Sequence, residues 1–283
     1  MAALHHPSLK DRVVIVTGGS RGFGWYIAEE LLKGGARIVA TASGRNPAEL
    51  GEAQNKADAI APGRFVTLKA DVRNDDDCVA TVDLALKSFG RIDVLINNAG
   101  RGTGEYRIGL AGQGGPRFWD VPVEGWKAII DTNLTGVFQM TRAAIPHMLE
   151  RKFGKIFSIS TSLTTMSSAG LSPYGASKAG LEMSHVIWAK ELAGTGVDVN
   201  ILLPGGASDT PFISQEMVKG AVGTRSQLLP GDVIVPPAVW LCGDATNGVT
   251  GRRIIAKYWD KTLPPQLAFE GCLQPKHVLP SVM

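Results

Sequence analysis

Residues 12–24 read RVVIVTGGSRGFG, and the helix-like run WYIAEELLK follows them at residues 25–33. The first six residues are mostly apolar and β-branched, which is typical of a buried strand. Four glycines then fall within eight residues, and glycine permits both a positive φ and the close approach of an anion to the backbone. A helix that begins directly behind such a turn directs free N–H groups and its positive dipole end at the turn. This order predicts a site for the pyrophosphate of a dinucleotide.

Strand-like and helix-like segments alternate along the rest of the chain. Several strand-like segments are nearly continuous apolar runs, as in a parallel sheet covered by helices on both faces. The fold class that we expect is therefore α/β, a doubly wound parallel sheet of the Rossmann type with about seven strands. We predict strands at 12–17, 36–41, 64–69, 91–97, 155–160, 197–203 and 253–258, and helices at 24–33, 47–60, 75–89, 123–151 and 173–192.

One dinucleotide-binding and catalytic domain is expected over residues 1–283, because no linker or internal repeat divides the chain. Residues 1–10 are expected to form a flexible N-terminus, and residues 259–283 a C-terminal extension. Loops at the carboxyl ends of parallel strands line the crevice of such a sheet. We therefore predict that residues 101–120 and 207–230 are the substrate loops.

The composition excludes several classes of protein. Hydrophobic residues make up 44% of the 283 residues, which argues against disorder. A net charge of +3, without a long basic run, argues against a nucleic-acid partner. The three cysteines form no CxxC pair and have no histidine cluster beside them, so we expect neither disulfides nor a metal site. No apolar stretch has the length of a membrane helix and no secretory signal is visible, so we expect a cytoplasmic protein without membrane contact.

Three motifs give the chain a resemblance to a known family. Residues 17–24 have the pattern TGxxxGxG, NNAG stands at 97–100 after the fourth predicted strand, and Tyr174 precedes Lys178 in a YxxxK pattern. In this order, the motifs resemble those of the short-chain dehydrogenase/reductase family, and the resemblance covers roughly residues 10–258. It implies an oxidoreductase that transfers a hydride between a nicotinamide coenzyme and a carbonyl or secondary alcohol. It also implies that Asp71 and Val72 flank the adenine, and that the turn at 97–100 supports the sheet and the coenzyme.

The second predicted strand indicates NADP(H) as the coenzyme. An NAD site of this kind places a carboxylate at the end of this strand to bind the ribose hydroxyls. Here the strand leads into Thr41, Ala42, Ser43, Gly44 and Arg45, without an acid. A hydroxyl and a guanidinium group would bind the 2′-phosphate of NADP(H), which a carboxylate would repel. Arg21 in the glycine-rich turn is a second cation in reach.

Tyr174 and Lys178 are the expected centre of catalysis. They stand at the start of a predicted helix, where a spacing of four residues places both side chains on one face. A free tyrosine has a pKa of about 10, and we expect the nearby ammonium group to lower it toward a useful range. The resemblance implies that Tyr174 is the general acid in reduction and that Lys178 binds the nicotinamide ribose.

The resemblance assigns supporting roles to further polar residues. Asn133 corresponds to an asparagine that bends a helix and holds a water in a proton relay. The family's serine after the fifth strand falls on Thr161, with Ser160 and Ser162 beside it. Thr161 or Ser162 is favoured for the hydrogen bond to the substrate oxygen, and the sequence alone does not choose between them.

The expected coenzyme-binding residues come from the turns after the first, second, third, fourth and sixth predicted strands and from the start of the helix at 173–192. The last of these turns begins with Pro204 and Gly205, and Thr210 lies beyond it against the carboxamide. The full set is Gly18, Ser20, Arg21, Gly22, Phe23, Gly24, Ser43, Arg45, Asp71, Val72, Asn98, Ala99, Gly100, Tyr174, Lys178, Pro204, Gly205 and Thr210.

The partner is expected to be a small carbonyl or alcohol molecule, together with further copies of the chain in a homodimer or homotetramer. An alternative is an NADP-binding sensor or scaffold without turnover, which the presence of Tyr174, Lys178 and Asn133 disfavours. The substrate pocket could be apolar or could bind an anion. The apolar candidates are Tyr106, Phe118, Trp119, Leu171, Phe212 and Met217, and the cationic ones are Arg101, Arg107 and Arg117.

Overall fold

Seven parallel strands form the central sheet of the computed structural model, which describes residues 7–44, 46–102, 104, 116–213, 218 and 224–274. The strand order is β3-β2-β1-β4-β5-β6-β7, and each neighbouring pair is parallel. This confirms the predicted Rossmann-type sheet. The strands are β1 (Val13–Thr17), β2 (Arg37–Ala42), β3 (Phe65–Lys69), β4 (Val94–Asn97), β5 (Gly154–Ile159), β6 (Val197–Leu203) and β7 (Arg253–Ile255).

Helices cover both faces of the sheet, as predicted. Within the described residues the α-helices are α1 (Gly22–Lys33), α2 (Glu49–Ile60), α3 (Asp75–Phe89), α4 (Val123–Ile130), α5 (Gly136–Glu150), α6 (Leu163–Met166), α7 (Ser172–Glu191), α8 (Val235–Leu241) and α9 (Pro265–Cys272). Successive strand residues point to opposite faces. Val14 and Val16 of β1 therefore pack with α1 and α8, while Ile15 packs with α3 and α5. Each fully buried side chain of this kind stabilises the fold by about 1.5–3 kcal/mol.

The order of the strands reverses between β1 and β4, where a doubly wound sheet opens a crevice for its ligand. Asn98, just beyond β4, fixes the geometry there. Its backbone N–H donates to Thr17 Oγ1 at 3.0 Å, and its Nδ2 donates to the carbonyl oxygens of Thr17 and Gly18 at 2.9 Å each. The NNAG turn therefore supports the glycine-rich turn of the neighbouring strand.

The predicted helix at 123–151 is divided around Asn133, the residue that the family resemblance implies bends a helix. A π-helical turn, Asp131–Thr135, separates α4 from α5. Such a turn widens the backbone hydrogen-bond ladder by one residue and is frequent at functional sites. It carries Asn133, whose buried side chain points away from solvent to the backbone of Arg101.

Both ends of the described chain pack against the sheet. Pro7–Leu9 forms a 3₁₀ turn in which Leu9 is fully buried. This differs from the expected flexible N-terminus, because an apolar side chain in the core holds that segment in place. At the other end, α9 buries Phe269 and Cys272 in the same core, and Leu273 forms an antiparallel bridge to Ile254. The described part of the extension at 259–283 thus completes the core.

The described residues contain no helix that is both long and apolar enough to cross a membrane. Across the same residues, no group of three or more His, Cys, Asp or Glu side chains could hold a metal ion. Cys78, Cys242 and Cys272 are buried free thiols. Burial raises the pKa of each thiol to about 12, so these cysteines are unreactive at neutral pH.

Candidate active site

The glycine-rich turn between β1 and α1 has a shape that only glycine permits. Gly18 and Gly22 have φ angles of +62° and +53°, in the left-handed region. A Cβ at Gly24 would lie 2.2 Å from the carbonyl oxygen of Gly18 and 2.6 Å from Asn98 Nδ2. Substitution at any of these positions would strain or fill the turn.

The first turn of α1 is open to an anion. Its N-cap residue, Arg21, makes no side-chain capping bond, and no acidic residue stands in the first turn of the helix. Phe23, two residues after Arg21, packs against the core and holds the turn in place. Free N–H groups and the positive dipole end therefore face the crevice, as a pyrophosphate requires. The residues of this turn fit a dinucleotide.

Four polar side chains lie near the end of β2. The sequence predicted two of them as coenzyme-binding residues, Arg21 and Ser20, and it missed Glu49 and Lys69. Arg21 is 59% exposed, and its Nε lies 3.1 Å from Glu49 Oε1. Ser20 Oγ donates to the second oxygen of the same carboxylate at 3.3 Å. Glu49 was missed because it stands at the start of α2, outside the segment that usually carries the acid. Lys69 was missed as well, and its side chain lies against Gly44, where an added Cβ would be 2.5 Å from Lys69 Cε.

Ser43 follows β2 directly and is exposed, while Arg45 lies outside the described residues. Asp71 and Val72 follow β3 at the same edge of the sheet. The Arg73 guanidinium lies 2.6 Å from Asp71 Oδ2, and hydrogen bonds from Arg73 hold the pKa of that carboxyl below its usual value. Val72 is buried against Gly136.

Tyr174 lies in the first turn of α7, where Pro173 suits the helix start. The tyrosine is half-buried and its ring lies 6.2 Å, centroid to centroid, from that of Phe212. Burial raises the pKa of Tyr174 to about 12, and a hydrogen bond with the Thr161 hydroxyl opposes that rise. The direction differs from the predicted lowering by Lys178, because desolvation of the phenolate dominates.

Lys178 lies one helical turn further along α7 and is buried. Its Nζ donates to the carbonyl oxygen of Ile159 at 2.7 Å and lies 5.9 Å from the centroid of the Tyr174 ring. Burial lowers the pKa of Lys178 to about 8, while the Glu182 carboxylate acts in the opposite direction. Near physiological pH, Lys178 is therefore present both as an ammonium group and as a neutral amine.

The three hydroxyl residues after β5 have different partners. Ser160 Oγ donates to Glu182 Oε1 at 2.6 Å. Ser162 is the N-cap of α6, and its Oγ accepts from the Thr165 backbone N–H at 3.1 Å. Of the three hydroxyl groups, that of Thr161 is the one that acts on the pKa of Tyr174, which it lowers. This geometry favours Thr161 over Ser162 for the family's serine position.

Asn133 connects the π-helical turn to the start of the substrate loop. Its Oδ1 accepts from the backbone N–H of Arg101 at 2.8 Å, and its Nδ2 donates to the Arg101 carbonyl at 2.9 Å. The same Nδ2 lies 3.1 Å from Ser177 Oγ, which in turn donates to the Tyr174 carbonyl at 2.7 Å. The amide therefore clamps the loop to the helix that carries Tyr174.

The turn after β6 closes the site from the side of α1. Gly205 has a φ of +93°, and Pro204 is buried. Thr210 is buried as well, and a Cβ at Gly22 would lie 3.8 Å from Thr210 Cβ. Thr210 and Pro211 thus lie against the glycine-rich turn. Ala99 and Gly100, beyond β4, face the same crevice, since a Cβ at Gly18 would lie 3.1 Å from Ala99 Cα.

Phe212 lies beside Tyr174 and the start of the predicted substrate loop. A Cβ at Gly102 would lie 2.7 Å from Phe212 Cζ, so Phe212 closes over the start of the substrate loop. Phe118 and Trp119 form an edge-to-face pair at 5.0 Å, and both are exposed. The Arg117 guanidinium lies 5.8 Å from the Trp119 ring, and Leu171 precedes α7 directly. Tyr106, Arg107 and Met217 lie outside the described residues.

The chain belongs to the short-chain dehydrogenase family, which it matches over residues 12–218. It is similar to 3beta-hydroxysteroid dehydrogenase 1 of Eggerthella lenta, with 33% identity over 88% of this chain and 93% of the relative. It is also similar to the 3-oxoacyl-(acyl-carrier-protein) reductase FabG of Salmonella typhimurium, with 30% identity over 87% of this chain and 96% of the relative. A crystal structure assigned to a short-chain alcohol dehydrogenase of Sinorhizobium meliloti 1021 gives a TM-score of 0.74 at 30% identity, covering 88% of this chain and 96% of the other. The chain is therefore an oxidoreductase of this family, as the motifs predict.

Proposed function

We propose that this enzyme transfers a hydride between NADP(H) and a carbonyl or secondary alcohol, with Tyr174 as the general acid or base. The observation that carries the proposal is the buried Lys178 Nζ, 5.9 Å from the centroid of the Tyr174 ring, at the end of β5 where the Thr161 hydroxyl also acts on the pKa of the phenol. These three side chains lie at the carboxyl edge of the sheet, where the glycine-rich turn also opens. A sensor or scaffold would have no need of a desolvated phenol and a desolvated amine at this place.

The dinucleotide would be held by residues from the turns after β1, β4 and β6. Gly18, Gly22 and Gly24 leave space for its pyrophosphate at the start of α1, and Asn98 stabilises that turn. Thr210 covers the opposite side. When bound, the reduced coenzyme supplies the hydride, and the chain's own residues position the carbonyl and handle the proton.

With its pKa raised by burial, the phenol of Tyr174 is protonated at neutral pH and has a proton to give. In carbonyl reduction the phenol gives its proton to the substrate oxygen as negative charge develops there. The Thr161 hydroxyl donates a second hydrogen bond to that oxygen. The ammonium group of Lys178 stabilises the phenolate that the transfer leaves behind. Asn133 holds the start of the predicted substrate loop next to α7. We also propose that Asn133 holds the water of a proton relay, as the family resemblance implies.

The preference for NADP(H) is supported by the absence of an acid at residues 41–45 and by the cations Arg21 and Lys69 nearby. Glu49 competes for Arg21, and its carboxylate is the one feature here that favours NAD(H). Because Arg21 is 59% exposed, its guanidinium can turn to a 2′-phosphate without loss of packing. Arg45 stays a predicted ligand.

Replacing Ser43 with Asp should reverse the coenzyme preference. A carboxylate at this position repels the 2′-phosphate and accepts hydrogen bonds from the ribose hydroxyls of NADH. We expect the ratio of kcat/KM for NADPH to that for NADH to fall about 100-fold. Ser43→Asn is the matched control, since it adds the same volume without the charge. Equal ratios in the two variants would remove the basis for the NADP(H) assignment.

The test of the proposed function is turnover with a panel of carbonyl compounds. Phe212, whose ring centroid lies 6.2 Å from that of Tyr174, favours a substrate with an apolar body. The relatives named above suggest 3-ketosteroids and 3-oxoacyl thioesters as the first two classes. Oxidation of NADPH is followed by absorbance with each compound. Tight NADPH binding with no oxidation across both classes would favour the sensor alternative.

We also propose that the enzyme is a homodimer or homotetramer that associates through α5 and α7. Phe138 on α5, and Met183 and Ile187 on α7, are 48%, 39% and 48% exposed, more apolar surface than a helix in water normally shows. Sedimentation velocity should give a mass of two or four chains, and Ile187→Glu should lower it. A monomeric wild type would contradict this assignment.

A further inference from the structure

Arg253, the first residue of β7, joins three parts of the molecule through one guanidinium group. Its Nε donates to Glu182 Oε2 at 2.9 Å, its Nη2 to the Thr161 carbonyl at 2.8 Å and its Nη1 to Gln274 Oε1 at 2.6 Å. The side chain of Arg253 is 13% exposed and that of Glu182 only 4%. The planar guanidinium group spreads five N–H donors over three nitrogens and so meets acceptors on three sides, whereas the three donors of a lysine ammonium radiate from a single atom.

This buried ion pair stands directly behind the candidate active site. Glu182 accepts a further hydrogen bond from Ser160 Oγ at 2.6 Å. Residues 160 and 161 are therefore held by the same pair, one through its side chain and the other through its carbonyl. Thr161 lies beyond the end of β5, so Arg253 supplies the bond that the strand ladder no longer provides.

Each member of the pair is also connected to the proton-transfer residues. The Thr161 hydroxyl lowers the pKa of Tyr174 against the effect of burial, and the Thr161 backbone that carries this hydroxyl is held by Arg253 through its carbonyl oxygen at 2.8 Å. Glu182 follows Lys178 by one turn of α7, and its charge raises the pKa of that lysine against the effect of burial. Gln274 is fixed by a bond from its backbone N–H to the Arg253 carbonyl at 2.9 Å, which brings the C-terminal extension into the cluster.

We propose that Arg253 is a positioning residue for catalysis, which with Glu182 and Gln274 holds Thr161 so that its hydroxyl meets Tyr174 and the substrate oxygen. The C-terminal extension thereby contributes to the active site through a residue that does not touch the substrate. The effect on turnover rests on the proposed function, whereas the effect on the Tyr174–Thr161 bond does not.

Arg253→Lys separates positioning from charge. The lysine still neutralises Glu182, so we expect Tm to stay close to that of the wild type. It cannot serve all three acceptors, so kcat should fall about 10-fold while KM changes by less than about two-fold. Arg252→Lys is the matched control, because Arg252 Nη2 bonds the Gln274 carbonyl at 3.3 Å but does not contact Thr161; its kcat should stay unchanged. If Arg253→Lys keeps the wild-type kcat, Arg253 has only a structural role.

The second experiment asks whether Arg253 acts through Thr161. In a Thr161→Val background the hydroxyl is gone, so Arg253→Lys should lower kcat no further. Losses that multiply in the double variant would mean that the two residues act independently, and would overturn the proposal.

A third readout needs no substrate. Protein labelled with ¹³C at tyrosine Cζ gives an NMR signal for Tyr174, which is assigned by its loss in Tyr174→Phe. This signal should move in Arg253→Lys and in Gln274→Ala in the same direction as in Thr161→Val. An unmoved signal in both variants would overturn the positioning role even if turnover were normal. Conversely, an enzyme that reduces no carbonyl would contradict the proposed function, and the NMR shifts would still decide the proposal.

Discussion

Tyr174→Phe should lower kcat for carbonyl reduction by about 10³-fold, within the range of 10² to 10⁴ that general acid catalysis contributes. The phenol of Tyr174 is the protonated group beside Thr161, and phenylalanine keeps the ring and its contact with Phe212 but has no proton to give. The measurement is the initial rate of NADPH oxidation with the best substrate of the panel.

The same variant should bind NADPH with a Kd within about two-fold of the wild type, because the pyrophosphate turn and the end of β2 are untouched. Fluorescence of the bound coenzyme gives that constant. Tyr258→Phe is the control, since Tyr258 is 53% exposed and lies in the 3₁₀ turn after β7, outside the crevice. A Tyr174→Phe enzyme with more than a tenth of the wild-type kcat would show that another group delivers the proton.

The sheet and its glycine-rich turn could be predicted because their signals are local. Apolar runs such as 12–17 predict buried strands, and glycines at 18, 22 and 24 predict a turn that the structure indeed bends through positive φ. Tyr174 and Lys178 could be placed together because two residues four positions apart on a helix lie on the same face. In each case the interacting residues are close in sequence.

The features that sequence reasoning missed depend on residues distant in sequence. Glu49 meets Arg21 only because α2 returns to the end of β1, and nothing in residues 41–45 indicates it. The family resemblance implies a bend at Asn133, but the partner of its amide group, the backbone of Arg101, lies thirty-two residues earlier and could not be predicted. The choice of Thr161 over Ser162 depends on where each side chain points after β5 ends. The one signal for the contact between Glu49 and Arg21 was the position of Glu49 in the first turn of the helix that follows β2.

Lys178→Met should lower kcat about 100-fold and also remove a feature of the pH profile. Methionine keeps the length and the apolar stem of lysine, so the packing of α7 is preserved. The loss follows from the charge, because the phenolate of Tyr174 no longer has an ammonium group near its ring. The KM for NADPH should rise as well, if Lys178 binds the coenzyme as the family resemblance implies.

The sign of the pH effect follows from the lowered pKa of Lys178. Below pH 8 the wild-type side chain is an ammonium group, and above pH 8 it is a neutral amine. Since only the charged form stabilises the phenolate, kcat for reduction should fall as pH rises through about 8 in the wild type. The pKa of Tyr174, near 12, is too high to cause this fall. In Lys178→Met, kcat should be low and level across the same interval.

Lys190→Met is the matched control for this profile. Lys190 lies in the last turn of the same helix and is exposed, so its loss changes the net charge by the same unit without changing the crevice. Its profile should retain the fall near pH 8. If the fall also persists in Lys178→Met, the titrating group is another residue, and the charge of Lys178 then has no part in the proton transfer. If the fall disappears in Lys178→Met alone, the titrating group is the buried amine of Lys178, whose Nζ lies 5.9 Å from the centroid of the Tyr174 ring.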